Sequence, residues 1–367
     1  MNETRSLILT AVGILGVLLL TPFSPVQSAD APVPLKEAPS ATPAKAPPKR
    51  WDEEPFRPRF SAAKAAEFLD AGARADEGDK CLTCHASFAY LMARPALPIQ
   101  TARHAEVRSA VEKWVGYLAG LPLGVESDSR RRAEAVLAGA VLAGHDAATT
   151  GTLQPVSRRA LDLIWQVQLS DGGFDWLKPN SEPPSAIDNH FGATMAAIGA
   201  GVAPEGYAGS PAAQAGLEKL RTWFRTHPAQ HLHQRGMLLL ADHWMGGLMD
   251  EAAREQAVTD MFAIQRPDGG WPLAALGDGT WERKDKTPQD LATSDGYGTG
   301  FCVYVLRLGG QVPADDPRVQ KAISWLLEHQ RESGYWYARS PKGNDRLSTF
   351  VGTAYAVLAL KQCGQLP

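Results

Sequence analysis

Gln265-Arg-Pro-Asp268-Gly-Gly-Trp271 ends one helical segment and opens another, and the arrangement recurs twice more. Its counterparts are Gln168-Leu-Ser-Asp171-Gly-Gly-Phe174-Asp-Trp176 and Gln330-Arg-Glu-Ser-Gly334-Tyr-Trp336. Asp-Gly-Gly specifies a tight reversal through positive φ, and the aromatic after it packs between neighbouring helices. The Gln is placed to reach the first orphan N–H groups of the next helix, with the Trp ring covering them. The segments after the turns also align: Phe191-Gly192-Ala-Thr-Met-Ala-Ala-Ile-Gly, Tyr297-Gly298-Thr-Gly-Phe-Cys-Val-Tyr-Val and Val351-Gly352-Thr-Ala-Tyr-Ala-Val-Leu-Ala. Two weaker units lie around Arg131–Gly144 and Arg235–Leu248, and a sixth runs from Ala62 to Met92. From residue 61 onward apolar residues recur at helical spacing, with no convincing period-2 strand. Second helices start about 45–60 residues apart, the range of helical-pair repeats. Their Gly, Ala and Thr suit a crowded inner ring, and charged first helices such as Glu251–Thr259 and Asp316–Glu328 suit a solvated outer one. Six pairs are enough to close a ring. The sequence therefore predicts an all-α fold, an α/α toroid of about six helical hairpins over residues 61–367.

Composition agrees. Of 367 residues, 44% are hydrophobic and 21% charged, which excludes disorder over the whole length. Net charge is −3, and basic residues cluster only briefly, as at Arg130-Arg131-Arg132, so no nucleic-acid partner is expected. Residues 1–29 carry Arg5, an apolar run from Leu7 to Leu20, then Pro22 and Pro25. A mostly apolar run of fourteen residues makes a signal-peptide core and falls short of the ~20 a membrane span needs. Ala29-Asp30-Ala31 is the cleavage site this implies; left uncleaved, the segment would be an N-terminal anchor holding the protein at a membrane. Either way the chain is expected to be exported, to a periplasm or beyond. Residues 30–60 read as a disordered Pro/Ala-rich linker, with folded structure expected from about Phe60.

The Gln…Asp-Gly-Gly-Trp turns resemble the QW repeats of squalene–hopene and oxidosqualene cyclases, and of the related prenyltransferase β subunits. The resemblance covers roughly residues 61–364 as architecture. It implies a toroid with a central cavity, open where the inner helices begin, and an apolar, isoprenoid-like ligand. Class II cyclases of this kind use Asp-x-Asp-Asp, or a Ser-Asp-Cys-Thr variant, to protonate an alkene or epoxide. No Asp-x-Asp-Asp occurs here, and Thr293-Ser294-Asp295-Gly296 matches the variant only at Ser-Asp. Polycyclisation is therefore not expected. Similar turns occur in complement thioester domains and some polysaccharide lyases. Three functions follow: a toroid binding an apolar small molecule, with redox chemistry of its own; a non-catalytic toroid binding a lipid or protein; and a polysaccharide-active toroid.

Residues preceding the second helices should gather at one end: Cys84-His85, Asp188-Asn189-His190, His231 to Arg235, and Ser294-Asp295. Asp295 is the first candidate acid or ligand there, with Asp188 and His190 next, because helix dipoles and a low-dielectric cavity shift pKa values. Each Asp also reads as a plain N-cap. Cys81-Leu-Thr-Cys84-His85 has the spacing of a c-type haem attachment site, with two thiols on the porphyrin edge and His85 on the iron. Met92, Met237 or a mouth His would be the sixth ligand. Two alternatives stand beside haem. Cys81 and Cys84 form a disulfide, or they join His190 or Asp295 around zinc, a reading the prenyltransferase resemblance supports. Cys302 and Cys363 either pair across helices or stay small buried hydrophobes. His104, His145, His227, His243 and His329 show no mutual spacing that asks for a metal, so core or surface roles are expected.

Overall fold

A computed structural model describes residues 50–73, 84–98, 101–123, 128–176, 189–277, 279 and 281–366, with backbone alone at Cys84 and His85. The chain divides into Met1–Ala46 and Pro47–Pro367, and the described residues belong to the second unit. The leader, Cys81 and Asp188 lie outside them.

The described residues form twelve α-helices in six hairpins. The outer set is α1 (Ala62–Gly72), α3 (Ala102–Leu118), α5 (Pro155–Gln166), α7 (Pro211–Thr226), α9 (Glu251–Ala263) and α11 (Pro317–Glu328). The inner set is α2 (Ala89–Ala93, entered through a π-turn at Cys84–Phe88), α4 (Ser129–Thr149), α6 (Asn189–Val202), α8 (Leu232–Met245), α10 (Gly296–Leu308) and α12 (Asp345–Gln362). Outer helices bury one stripe, as α11 does with Val319, Ala322, Ile323 and Leu326. Inner α4 is buried on every side from Ala133 to Ala143. Each inner helix packs on the next, and α12 returns to α2, closing the ring. Neighbouring inner helices run parallel: Phe191 of α6 lies 6.3 Å from His233 of α8 near their starts, and Gly201 touches Trp244 near their ends. Small residues make this spacing possible, since a Cβ on Gly300 would sit 2.5 Å from the Ala356 nitrogen. The α/α toroid read from the sequence is the observed fold.

The three turns explain how one hairpin finds the next. Gly172, Gly269 and Gly334 hold φ of 96°, 96° and 101°. Each presses on the backbone of the following outer helix, at Lys219, Lys321 and Lys64. The Gln Nε2 donates to the turn's own Gly carbonyl and to a carbonyl of that outer helix. Gln168 reaches Gly172 and Gly216 (2.9 Å each), Gln265 reaches Gly269 (2.8 Å) and Arg318 (2.9 Å), and Gln330 reaches Gly334 and Ser61 (3.0 Å each). The sequence suggested that Gln meets orphan N–H groups. None reaches the next helix along the chain; Gln330 Oε1 instead accepts from the N–H of Ser61, the cap of α1, at 2.7 Å. Trp176 does lay its ring against the start of the next helix, at Gly192 of α6, but the other two turns differ. Trp271 and Trp336 donate Nε1–H to Met261 (2.7 Å) and Leu326 (2.6 Å), carbonyls of the outer helices they follow. Because the last turn docks on α1, the same device that joins successive hairpins also closes the circle.

The linker ends sooner than the sequence suggested. Arg50 to Arg59 lie along the last turn: Phe56 bridges to Arg331, Arg57 N–H donates to the Gln330 carbonyl at 2.7 Å, and Glu332 N–H to that of Pro55 at 3.0 Å. Proline content marked this stretch as spacer, but extended Pro-rich backbone also suits pairing along a turn. Glu54 ties the strap to this turn, which differs from the other two. Asp171 and Asp268 accept the N–H of Gly173 and Gly270 within their own turns (2.9 and 3.0 Å). Ser333 stands in the third Asp position, and the buried Glu54 carboxylate takes Ser333 N–H and the Tyr335 hydroxyl from outside. Cys302 and Cys363 are free and buried, and burial pushes the Cys302 thiol well up. Among the described residues no helix is long and apolar enough to cross a membrane.

Candidate functional site

Asp295 stands at the start of α10 and is 6% exposed. Its Oδ1 accepts Gly298 N–H at 2.8 Å, its Oδ2 accepts Leu273 N–H at 2.6 Å, and its own N–H donates to the Trp271 carbonyl at 3.0 Å. It is thus the N-cap read from the sequence, and it also ties the turn to the helix. Burial pushes its carboxyl up to about 7, outweighing the backbone N–H groups that favour the charged form. Ser294 turns elsewhere, donating its hydroxyl to Asp268 at 2.8 Å.

Beside this carboxyl lies a buried aromatic array. His233 of α8 stacks on Phe301 of α10 with ring centres 4.3 Å apart, and its Nε2 is 3.2 Å from the Tyr297 hydroxyl. Tyr297 meets Tyr355 of α12 at 5.2 Å, and Phe191 of α6 also stacks with His233, at 6.3 Å. The loop before α10 delivers Trp281, edge-on to His231 at 5.4 Å and 6.3 Å from His233. Trp281 is 5% exposed, and its indole N–H has no partner among the described residues. Leaving a donor buried and unbonded costs about 1–3 kcal/mol. His231 caps α8, its Nδ1 accepting Gln234 N–H at 3.3 Å, and Arg235 pairs outward with Asp260.

The sequence candidates therefore separate. Asp295 adjoins the array, whereas His190 packs against Trp223 (5.8 Å) and Phe224 (5.3 Å) of the outer layer. One step along a helix turns a side chain by ~100°, so Phe191 faces the array and His190 faces away. Cys84 and His85 belong to the π-turn that opens α2. Among the described residues no group of three His, Cys, Asp or Glu side chains is placed to hold a metal.

Two features escaped the sequence reading. One is a cleft of about 780 Å³ at the starts of α10 and α12, lined by Trp51, Phe56, Asp290, Asp295, His329 and Arg339 among others. The other is a buried pair, His104 of α3 and His145 of α4, whose Nε2 atoms lie 2.8 Å apart. Arg108 donates to His145 Nδ1 at 2.5 Å and to Asp146 at 2.7 Å, so His145 Nδ1 is an acceptor and its Nε2 carries the proton shared with His104. Burial, then Arg108, lowers His145 to about 4. A depressed base stabilises the fold above its ordinary pKa of ~6.5 and loses that contribution as pH falls toward 4. Wild type should lose about 2–3 kcal/mol more than His145→Gln between pH 7 and 4, read from urea unfolding at each pH. Parallel curves would refute the neutral pair.

No protein-family model matches the chain. Among solved structures, it is similar to the type II terpene cyclase MstE from Scytonema in its apo form. The TM-score is 0.50 at 15% identity, over 83% of this chain and 97% of that one. The likeness is one of fold: both chains are α/α toroids.

Proposed function

We propose that the toroid holds an apolar, isoprenoid-like molecule against the aromatic array, without the acid motif of the cyclases it resembles. The observation that carries this is the array itself, in which Phe191, His233, Trp281, Tyr297, Phe301 and Tyr355 converge from four inner helices and one loop. Aromatic faces offer such a ligand large contact area at little entropic cost. Both Asp295 oxygens are engaged by backbone N–H groups, which favours binding over catalysis. If chemistry does occur, Asp295 is its acid.

Cys81, Cys84 and His85 form the other half of the proposal: covalent haem c, with His85 as axial ligand, in an exported protein. The motif supports it, together with the place of Cys84 and His85 just before an inner helix.

Native mass spectrometry after expression with a cytochrome-maturation system tests both halves. A haem-staining band on a denaturing gel is expected. A colourless protein whose Cys81 and Cys84 alkylate only after reduction would leave the disulfide, and a bound zinc mass would leave the metal. Titration with squalene and with farnesol, followed by tryptophan fluorescence, should be saturable, and Trp281→Ala should weaken it tenfold or more. Failure of both ligands to bind would end the apolar reading.

A further inference from the structure

The cleft beside Asp295 is a second site of different character. Its volume of about 780 Å³ lies within the ~300–1,000 Å³ usual for small-molecule sites. One wall is the Arg50–Arg59 strap, which contributes Trp51 and Phe56; the others are the end of α11 and the loops leading into α10 and α12.

Charge narrows the ligand. Four arginines and five aspartates line the cleft, Asp295 among them, so the charges nearly balance and a polyanion or polycation gains little. The polar groups are also fixed in place. Arg283 is held by Asp285 at 3.0 Å and by the Ser340 carbonyl at 2.6 Å. Asp345 accepts Ser340 N–H at 2.9 Å and the Tyr337 hydroxyl at 2.8 Å, and Asp290 accepts two backbone N–H groups at 3.0 Å. A hydrocarbon would have to desolvate this wall without replacing its hydrogen bonds.

Some capacity is left open. Arg339 has Asp290 only at 3.9 Å, and its side chain is 41% exposed. His329 donates Nδ1–H to the Trp325 carbonyl at 2.8 Å, which leaves Nε2 as an acceptor. Its ring stacks on Trp325 at 4.3 Å, and Phe56 stands edge-on to it at 4.9 Å, still 47% exposed. Aromatic faces set among rigid donors and acceptors suit a molecule with C–H faces and hydroxyls that both donate and accept. We propose that this cleft binds a neutral oligosaccharide. The proposal does not rest on the apolar ligand of the aromatic array.

Calorimetric titration of the full chain with neutral hexasaccharides of β-1,4-linked glucose, N-acetylglucosamine and mannose, and with hexagalacturonate, tests it. At least one neutral sugar should bind saturably, with hexagalacturonate no tighter. Phe56→Ala and Arg339→Ala, at an exposed and a half-buried position, should each weaken that sugar tenfold or more while the protein stays folded. The proposal is overturned if no neutral hexasaccharide binds below millimolar concentration. It is equally overturned if binding survives both substitutions, or if hexagalacturonate binds more than tenfold tighter.

Discussion

Gly334→Ala should destabilise the protein by about 2–6 kcal/mol, a large share of the ~5–15 kcal/mol that holds an ordinary domain folded. Two effects combine. At φ 101° an L-residue is strained, at about 1–3 kcal/mol. The new Cβ would also lie 2.0 Å from the Lys64 carbonyl oxygen, a backbone atom that cannot rotate aside. Relieving such overpacking costs about 1–3 kcal/mol more. The position magnifies the damage, because this turn docks the sixth hairpin on α1 and the Gln330 bonds to Ser61 depend on the same approach. Gly151→Ala is the control. Gly151 also has positive φ, 67°, but nothing lies within 4 Å of its added Cβ, so about 1 kcal/mol is expected. Urea midpoints of the two variants decide the matter. Equal losses would mean that the ring is not sealed through Gly334.

The toroid was legible because its determinants are local. Asp-Gly-Gly, the Gln before it and the Gly/Ala stripes each lie within a dozen residues, so periodicity and turn chemistry find them. What the sequence hid is non-local. Glu54 binds a turn 279 residues away, and no local pattern in Pro-Phe-Arg-Pro announces it. The cleft draws on the strap, the end of α11 and two loops, so its charges could not be assembled from the sequence. Trp281 had a signal in spacing: Trp271 precedes Gly296 by 25 positions, whereas Trp336 precedes Asp345 by nine, and the extra length folds Trp281 back onto the array. His190 was misplaced for a geometric reason. Position at the mouth follows from chain order, but facing inward depends on helix phase, and adjacent residues differ by ~100°.

Asp295 gives the sharpest pH test. A carboxyl raised from 3.8 to about 7 binds a proton more tightly folded than unfolded. Wild type therefore loses stability as pH rises from about 4 to 7, by about 4 kcal/mol in all, and changes little from this group outside that window. Asn keeps the shape and removes the titration. It also sacrifices one good acceptor for Gly298 or Leu273 N–H, a loss of about 1–3 kcal/mol at every pH. At pH 4 Asp295→Asn should thus be less stable than wild type by about 1–3 kcal/mol, and at pH 8 it should be the more stable of the two by a similar amount. His145 titrates over an overlapping range with the opposite sign, but it is common to both proteins and cancels in their difference. Urea unfolding of the pair at half-unit intervals checks the sign change. A difference that stays constant with pH would show a carboxylate ionised throughout, serving as cap alone. A difference that reverses would show a buried carboxyl still half protonated near neutrality, which is the condition any acid role for Asp295 requires.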